Sequence, residues 1–132
     1  MKYVEQANFT SVDIRNDGKF VINLDAVELP YSFAIEERSL VHIPSGKFGG
    51  NHTHDRTEMF VCLDKGAELH WIDPETQERR VAPMNPVNGV LQAFLIKPRV
   101  PHAVVNASSQ GINLLEYADG PLDDVMPAQV IQ

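Results

Sequence analysis

The chain has 132 residues, the length of one domain, and its 43% hydrophobic and 22% charged residues are typical of a globular protein. The net charge is −7 and the 11 basic residues are scattered, which disfavours nucleic acid as a partner because phosphate backbones bind clustered cations. The single cysteine, Cys62, excludes an internal disulfide framework, and no apolar run has the length of a membrane span or of a signal peptide core. We therefore expect a soluble cytoplasmic protein with a small-molecule partner.

The N-terminal region is polar up to residue 19 and carries a turn signal at Asn16-Asp17-Gly18, so residues 1–19 are expected to form an arm or a first edge strand. From Phe20 on, short apolar runs alternate with proline and glycine. The first runs cover residues 20–24, 32–35 and 40–43. Each has the length of a strand and none has helical periodicity, which predicts an all-β domain over residues 20–119.

A group of potential metal ligands follows this region. Alternate side chains of a strand share a face, so His52 and His54 are expected to point the same way, roughly 7 Å apart along the backbone. Glu58 has the same parity if the strand continues through a bend at residues 55–57, and His102 could complete the set. Such a shell suits one divalent transition metal (Fe, Mn, Zn, Ni, Co or Cu) better than Ca or Mg. The alternative is a pair of exposed loop histidines beside a glycine turn.

The remaining strands are predicted at regular short spacing, which is typical of a barrel or jelly roll. Residues 58–63 are apolar on both faces, as expected of a strand between the barrel interior and a second layer. Further strands are expected at residues 67–72, 78–82, 90–96, 102–106 and 112–117, with a turn at 73–76 and a loop at 84–89. Residues 120–132 are a tail or an arm that packs on a partner subunit, and we expect a homodimer.

The spacing of Gly46, His52, His54 and Glu58 resembles the first motif of the cupin superfamily, G(X)5HXH(X)3,4E(X)6G, although Gly66 comes one residue late. The resemblance covers residues 20–119. It implies an antiparallel double-stranded β-helix, the jelly-roll barrel of cupins, with a metal at its centre.

The second cupin motif, G(X)5PXG(X)2H(X)3N, is matched in its second half by His102 and Asn106. Pro98 lies one residue closer to His102 than the motif requires, and Arg99 occupies the glycine position. The turn before the last ligand is therefore altered. For Asn106 we expect hydrogen bonds that fix the loop, with a substrate contact as the alternative.

Other polar residues are weaker candidates. His70 could act as an acid or base if it faces the barrel interior, because imidazole titrates near neutral pH; a surface role is the alternative, as for His42. Neighbours on a strand alternate, so either Glu116 or Tyr117 faces inward. Tyr117 has two alternative roles, as a proton donor or as a residue that fills the core. Cys62 is either an interior thiol near the metal or a small buried apolar residue.

Cupins include isomerases, epimerases, dioxygenases, lyases and binding domains, so the fold leaves the reaction open. Residues 50–54, 57–60 and 114–119 resemble cupins that act on nucleotide-linked keto sugars, in which a histidine pair can transfer the proton without metal. Gly49 stands where those cupins have an arginine. We expect isomerisation or epimerisation of a small, sugar-like substrate by metal-assisted proton transfer. The alternatives are an iron-dependent dioxygenase and a non-catalytic metabolite-binding protein. The candidate catalytic residues are His52, His54, His70 and Tyr117.

Overall fold

The structure is a computed structural model that describes residues 3–10, 12–28, 33–84, 91–122 and 125–131. These residues form β-strands joined by turns, which confirms the all-β prediction. Within them, no helix has the length and apolar character needed to cross a membrane. The strands are β1 Val4–Phe9, β2 Val12–Ile14, β3 Phe20–Ile22, β4 Val27–Glu28, β5 Glu37–Ile43, β6 Phe48–Thr53, β7 Glu58–Cys62, β8 Ala67–Ile72, β9 Arg79–Pro83, β10 Gln92–Ile96, β11 His102–Asn106, β12 Ile112–Ala118 and β13 Met126–Pro127.

Two larger antiparallel sheets and one small hairpin make up the fold. The first sheet has six strands in the order β4-β1-β10-β7-β12-β5, and the second has five in the order β13-β6-β11-β8-β9. The strands β2 and β3 pair only with each other, across the turn at residues 16–18 that the sequence predicts. The strand β1 lies inside its sheet, between β4 and β10, rather than at the edge.

Residues of both large sheets share one hydrophobic cluster, which fills the barrel interior. From the six-stranded sheet it includes Phe60, Cys62 and Leu114, and from the five-stranded sheet Leu69 and Val104. Because side chains alternate, these residues mark the inward face of each strand. The interior is therefore built from the alternate positions of β7, β8, β11 and β12.

A second hydrophobic cluster lies on the other face of the six-stranded sheet. Met59 and Val61 of β7 belong to it, so β7 is buried on both faces as predicted. Segments from the first 35 residues pack against this cluster with Val12, Ile22, Leu24, Val27, Phe33 and Ile35. This packing explains why residues 33–35, the described part of the predicted strand 32–35, are not a strand: Phe33 and Ile35 cover the sheet instead of joining it. Ser32, Val90 and the predicted loop at 85–89 lie outside the described residues.

The C-terminal residues pack along β6 of the same chain. The short strand β13 pairs antiparallel with the end of β6, where Met126 is opposite Thr53 and Pro127 is opposite His52. Val130 is only 1% exposed and anchors the segment. The C-terminal segment, residues 125–131, thus lies beside the strand that carries the first histidine.

Candidate functional site

The first two histidines come from the end of β6, which contains a bulge. His52 is opposite His102 of β11, but the next residue of β11, Ala103, is opposite Gly50. Asn51 is therefore an extra, unpaired residue in the ladder, and its backbone has a φ of 70°. A bulge of this kind changes the direction of the neighbouring side chains, and here it precedes the predicted His-x-His pair.

Three histidines form a compact cluster between the two sheets. The ring centroids are 5.1 Å apart for His52 and His54, 5.4 Å for His52 and His102, and 5.0 Å for His54 and His102. One nitrogen atom from each ring lies within 4.8 Å of the other two. His54 and His102 are each 2% exposed, whereas His52 is partly open. The structure thus brings together the three histidines that the motifs single out.

The altered second motif still directs His102 into the cluster. Arg99 takes the glycine position with a φ of 65°, and its backbone N–H donates to the carbonyl of His54 over 2.8 Å. The carbonyl of Val100 then accepts a hydrogen bond from His102 Nδ1 at 2.8 Å. This bond places the proton on Nδ1 and turns Nε2 toward the other two rings. A non-glycine residue in a left-handed conformation therefore replaces the glycine, and His102 still lies in the histidine cluster.

Glu58 reaches the cluster from the opposite wall. The strand β6 ends at Thr53, and Glu58 begins β7 in the six-stranded sheet. Its Oε1 lies 3.0 Å from His102 Nε2 and 2.8 Å from His54 Nε2, although the second pair is not aligned as a hydrogen bond. The carboxylate is thus close to the histidines, but it reaches them from the other sheet. The expected continuous strand from His52 to Glu58 is not formed.

Sequence reasoning missed Arg56, which lies in the bend before β7 and is only 6% exposed. Its Nε and Nη2 donate to Glu58 Oε2 over 2.9 and 2.6 Å. The same guanidinium contacts Glu116 at 3.1 Å and Glu37 at 3.3 Å, and it donates to the carbonyl of Gly120. One buried cation is therefore shared by three carboxyl groups. Arg56 lies in a bend, where side chains do not alternate between two faces, so the sequence pattern does not predict where it points. The only signal for a buried cation here is the number of acidic residues on the neighbouring strands.

The two buried carboxyl groups of this network have opposite pKa shifts. Burial raises the pKa of Glu116, and its hydrogen bond with Glu58 and the charge of Glu58 raise it further, to about 8. Burial also favours a higher pKa for Glu58, but the neighbouring His102, His54 and Glu116 outweigh it and hold the pKa well below the usual range. At neutral pH the pair therefore shares one proton, which resides on Glu116.

A cavity of about 90 Å³ adjoins the cluster between the two sheets. Burial lowers the pKa of His52, and the neighbouring His102 and His54 lower it further. His52 is thus a neutral, partly open imidazole at the wall of this cavity at neutral pH. The cavity is lined by Val41, Ile43, Gly49, Gly50, His52, Glu58, Phe60, His102, Val104, Leu114 and Glu116.

The structure does not bring the other two candidate catalytic residues to this cavity. On β8 the inward positions are Ala67 and Leu69, so His70 points to the other face, where its Nε2 lies 3.2 Å from Glu68 Oε1. On β12 the inward residue is Glu116, and Tyr117 packs in the cluster on the outer face of the sheet. Neither side chain is placed to exchange a proton with a molecule in the cavity.

The other polar residues named in the sequence analysis, Asn106, Cys62 and His42, make hydrogen bonds outside the histidine cluster. Asn106 is fully buried and donates to the carbonyls of Ile43 and Gln110, which fixes the loop as predicted. Cys62 donates from Sγ to the carbonyl of Asp64 at 3.1 Å, and burial raises the pKa of its thiol. His42 is exposed and bonds to Asn113 at 2.9 Å.

The donor set of the cluster fits a divalent ion of the borderline class, for which imidazole nitrogens are suitable ligands. The bond from His102 Nδ1 to a backbone carbonyl is the orientation that metal-binding histidines use. Both ring nitrogens of His54 are buried without a hydrogen-bond partner. Glu58 as a fourth ligand remains a prediction: Arg56 donates to its Oε2, and its Oε1 is the atom that lies beside the histidines.

Two facing antiparallel sheets with no helix among the described residues form a jelly roll, so the predicted jelly-roll fold is confirmed. No protein family model matches the chain, and no curated protein sequence matches it.

Similar solved structures cover nearly the whole chain. QdtA, a sugar 3,4-ketoisomerase from Thermoanaerobacterium thermosaccharolyticum in complex with TDP, has a TM-score of 0.73 and 16% identity over 96% of this chain and 89% of its own. A 3,4-ketoisomerase from Helicobacter canadensis has a TM-score of 0.67 and 20% identity over 92% and 86%. ChmJ, a 3'-monoepimerase from Streptomyces bikiniensis in complex with dTDP-quinovose, has a TM-score of 0.71 and 10% identity over 91% and 65%. At these identities the likeness establishes the fold.

Proposed function

We propose that the protein is an isomerase or epimerase that moves protons at a carbon atom next to the carbonyl group of a small, sugar-like substrate. The observation that carries this proposal is the position of His52, a partly open imidazole at the wall of an interior cavity. The fold supports it, because the similar structures include 3,4-ketoisomerases and a 3'-monoepimerase.

Both reactions begin when a base removes a proton from the carbon beside the carbonyl, which leaves an enolate. In isomerisation this carbon also carries a hydroxyl group, which loses its proton and becomes the new carbonyl, while the enolate oxygen and the former carbonyl carbon each take up a proton. In epimerisation the same carbon takes a proton back on its other face. The site needs a base on one side of the substrate and a proton donor on the other. His52 on β6 and Glu116 on β12 line the same cavity from opposite sheets.

The protonation states of these two residues suit those roles. Burial lowers the pKa of His52, so its imidazole is free to accept a proton at neutral pH. Burial raises the pKa of Glu116 to about 8, so its carboxyl group carries a proton to donate. Arg56 and Glu58 hold the carboxyl group of Glu116 in place through hydrogen bonds. His54 is buried next to His52 and supports it within the cluster.

In the metal-free protein His52 acts as the base. A divalent metal ion would be held by His52, His54 and His102, with Glu58 as the proposed fourth ligand, and it would then occupy the lone pair with which His52 accepts a proton. A bound ion supplies Lewis acid chemistry, which polarises a carbonyl oxygen and lowers the cost of removing the neighbouring proton.

The size of the cavity indicates which part of a substrate enters it. A volume of about 90 Å³ admits the reacting carbons of a small oxygenated molecule, and a nucleotide attached to a sugar would lie outside. Gly49 lines this cavity, so the cupin arginine that it replaces is not available there. We propose a keto sugar as the substrate class, either free or linked to a nucleotide.

The experiment compares turnover of free and nucleotide-linked keto sugars by the protein and by two histidine variants. We expect His52→Gln to lower kcat by about 10² to 10⁴, the usual contribution of a general base. His42→Gln is the matched control, because His42 is an exposed histidine outside the cavity, and its kcat should not change. If the folded protein turns over none of these sugars, with or without added divalent metal, the proposal fails.

A further inference from the structure

Asn51, the bulged residue of β6, directly precedes His52 and has an uncommon backbone conformation. Its φ of 70° is in the left-handed region, which asparagine tolerates better than most residues, at a small energetic cost. Next to it, Gly50 has a φ of 94°, and a Cβ there would lie 3.0 Å from the carbonyl oxygen of His102. The backbones of β6 and β11 therefore approach closely at the point where the histidines leave the two strands.

The C-terminal segment holds Asn51 through both its side chain and its backbone. Asn51 Oδ1 accepts hydrogen bonds from the backbone N–H groups of Val130 and Ile131, each 2.8 Å long. Its Nδ2 donates to the carbonyl of Ile131 at 3.1 Å, and its own carbonyl accepts from the N–H of Ala128 at 3.0 Å. Four hydrogen bonds thus join one residue of the bulge to one short segment.

The segment is itself fixed to the body of the protein. Val130 is 1% exposed, and its carbonyl accepts from Arg79 Nη1 at 3.4 Å. On the other side of the bulge, Pro127 lies opposite His52 in the β13 pairing. The C-terminal segment therefore spans the bulge and His52 together.

The bulge decides where the side chain of His52 points. Side chains alternate along a strand, so one extra residue reverses the faces of everything that follows. With Asn51 as the extra residue, Gly49 and His52 lie opposite Val104 and His102, and all four line the cavity. If the bulge moved by one position, the imidazole would no longer be directed at the same point.

We propose that Asn51 is a positioning residue that ties the C-terminal segment to the bulge and thereby holds the imidazole of His52 toward the cavity. The effect on turnover rests on the proposed function, but the effect on the direction of the ring does not. The C-terminal segment, residues 125–131, lines no part of the cavity. It acts on the site only through Asn51 and the direction of His52.

The test uses two substitutions at Asn51 and one control. Asn51→Gly keeps the left-handed conformation accessible and removes the three side-chain hydrogen bonds. Asn51→Asp keeps the acceptor for Val130 and Ile131, but it replaces the Nδ2 donor by a second oxygen and adds a negative charge. The control is Gln77→Gly, because Gln77 is an exposed non-glycine residue with a φ of 62° in the turn between β8 and β9.

Two readouts separate positioning from general stability. In ¹⁵N-labelled protein we expect Asn51→Gly to shift and broaden the ring signals of His52 while those of His102, held by Val100, stay in place. We expect kcat to fall by about 10² with a change in KM of less than about threefold, because a misplacement of about 1 Å has this cost. Asn51→Asp should keep the His52 ring signals and kcat closer to those of the wild-type protein than Asn51→Gly does. Gln77→Gly should change neither the ring signals nor kcat.

Unchanged His52 ring signals in folded Asn51→Gly would overturn the inference, as would an equal change in Gln77→Gly. If Asn51→Gly does not fold, Ala128→Pro takes its place, since it removes the N–H donor to the carbonyl of Asn51 without altering β6. If the wild-type protein turns over no keto sugar, the proposed function fails. The ring signals then decide the role of Asn51 alone.

Discussion

Replacing Arg56 by methionine should destabilise the protein strongly. Methionine has a similar length but no charge, so the substitution leaves the space filled and removes the cation. Arg56 donates two hydrogen bonds to Glu58 Oε2, over 2.9 and 2.6 Å, and Glu58 is 1% exposed. Without its partner the Glu58 carboxylate is a buried charge that water cannot reach. Removing one partner of such a pair costs about 3–5 kcal/mol of the free energy of unfolding.

Urea unfolding, followed by the fluorescence of the single tryptophan, Trp71, measures this loss. With a slope of about 2 kcal/mol per molar urea, we expect the midpoint to fall by about 2 M. The control is Arg99→Met, which removes an exposed ion pair: Arg99 and Asp55 are 3.5 Å apart and their side chains are 75% and 47% exposed. That pair should contribute at most about 1 kcal/mol. If Arg56→Met and Arg99→Met shift the midpoint equally, the buried network does not stabilise the fold.

The pKa of Glu116 is about 8 in the folded protein and 4.5 in a model compound, so the folded state binds this proton more tightly. Its contribution to stability is present below pH 4.5 and is lost as the pH rises through 8, by at most about 1.4 kcal/mol per pH unit. Glu116→Gln should remove that loss in urea unfolding between pH 5 and 9, and an unchanged slope would contradict the assignment. Alanine at His52, His54 or His102 should each lower the content of zinc or iron measured by plasma mass spectrometry, and full occupancy in all three variants would exclude the cluster as the metal site. Iron together with oxygen uptake would instead favour the dioxygenase alternative. The homodimer is tested by light scattering during gel filtration, where a mass near 14.7 kDa would contradict it.

The strands are well predicted where one face is apolar and turns mark the ends. The strand β8 has the predicted bounds, 67–72, because its alternation is clear and Asp73 begins the turn by accepting hydrogen bonds from Glu75 and Thr76. The three histidines are also found together, since motif spacing encodes both strands of the cluster. Local pattern and spacing were sufficient for these features.

Features that depend on how the sheets pack were not accessible from the sequence. The strand β12 is apolar on both faces, because residues from 12–28 and 33–35 pack on the outer side of its sheet. The pattern alone therefore could not assign Glu116 rather than Tyr117 to the interior. Glu58 contacts the histidines from the opposite sheet of the barrel. Arg56 contacts Glu37, which lies in a segment whose distance along the chain follows no motif spacing. The docking of the C-terminal segment depends in the same way on the bulge at Asn51: the run Gly49-Gly50-Asn51 is a local signal for a bulge but does not indicate which segment packs on it.

The most direct test of the proposed proton transfer is exchange with solvent. The protein is incubated in D₂O with TDP-4-keto-6-deoxyglucose, which is the ligand in one QdtA complex, and with free keto sugars, and the substrate is followed by proton NMR. We predict that deuterium enters the carbon next to the carbonyl group of at least one of them, and that His52→Gln slows this entry by about 10² or more. No deuterium in any of these sugars, with folded protein and with or without divalent metal, would contradict the account.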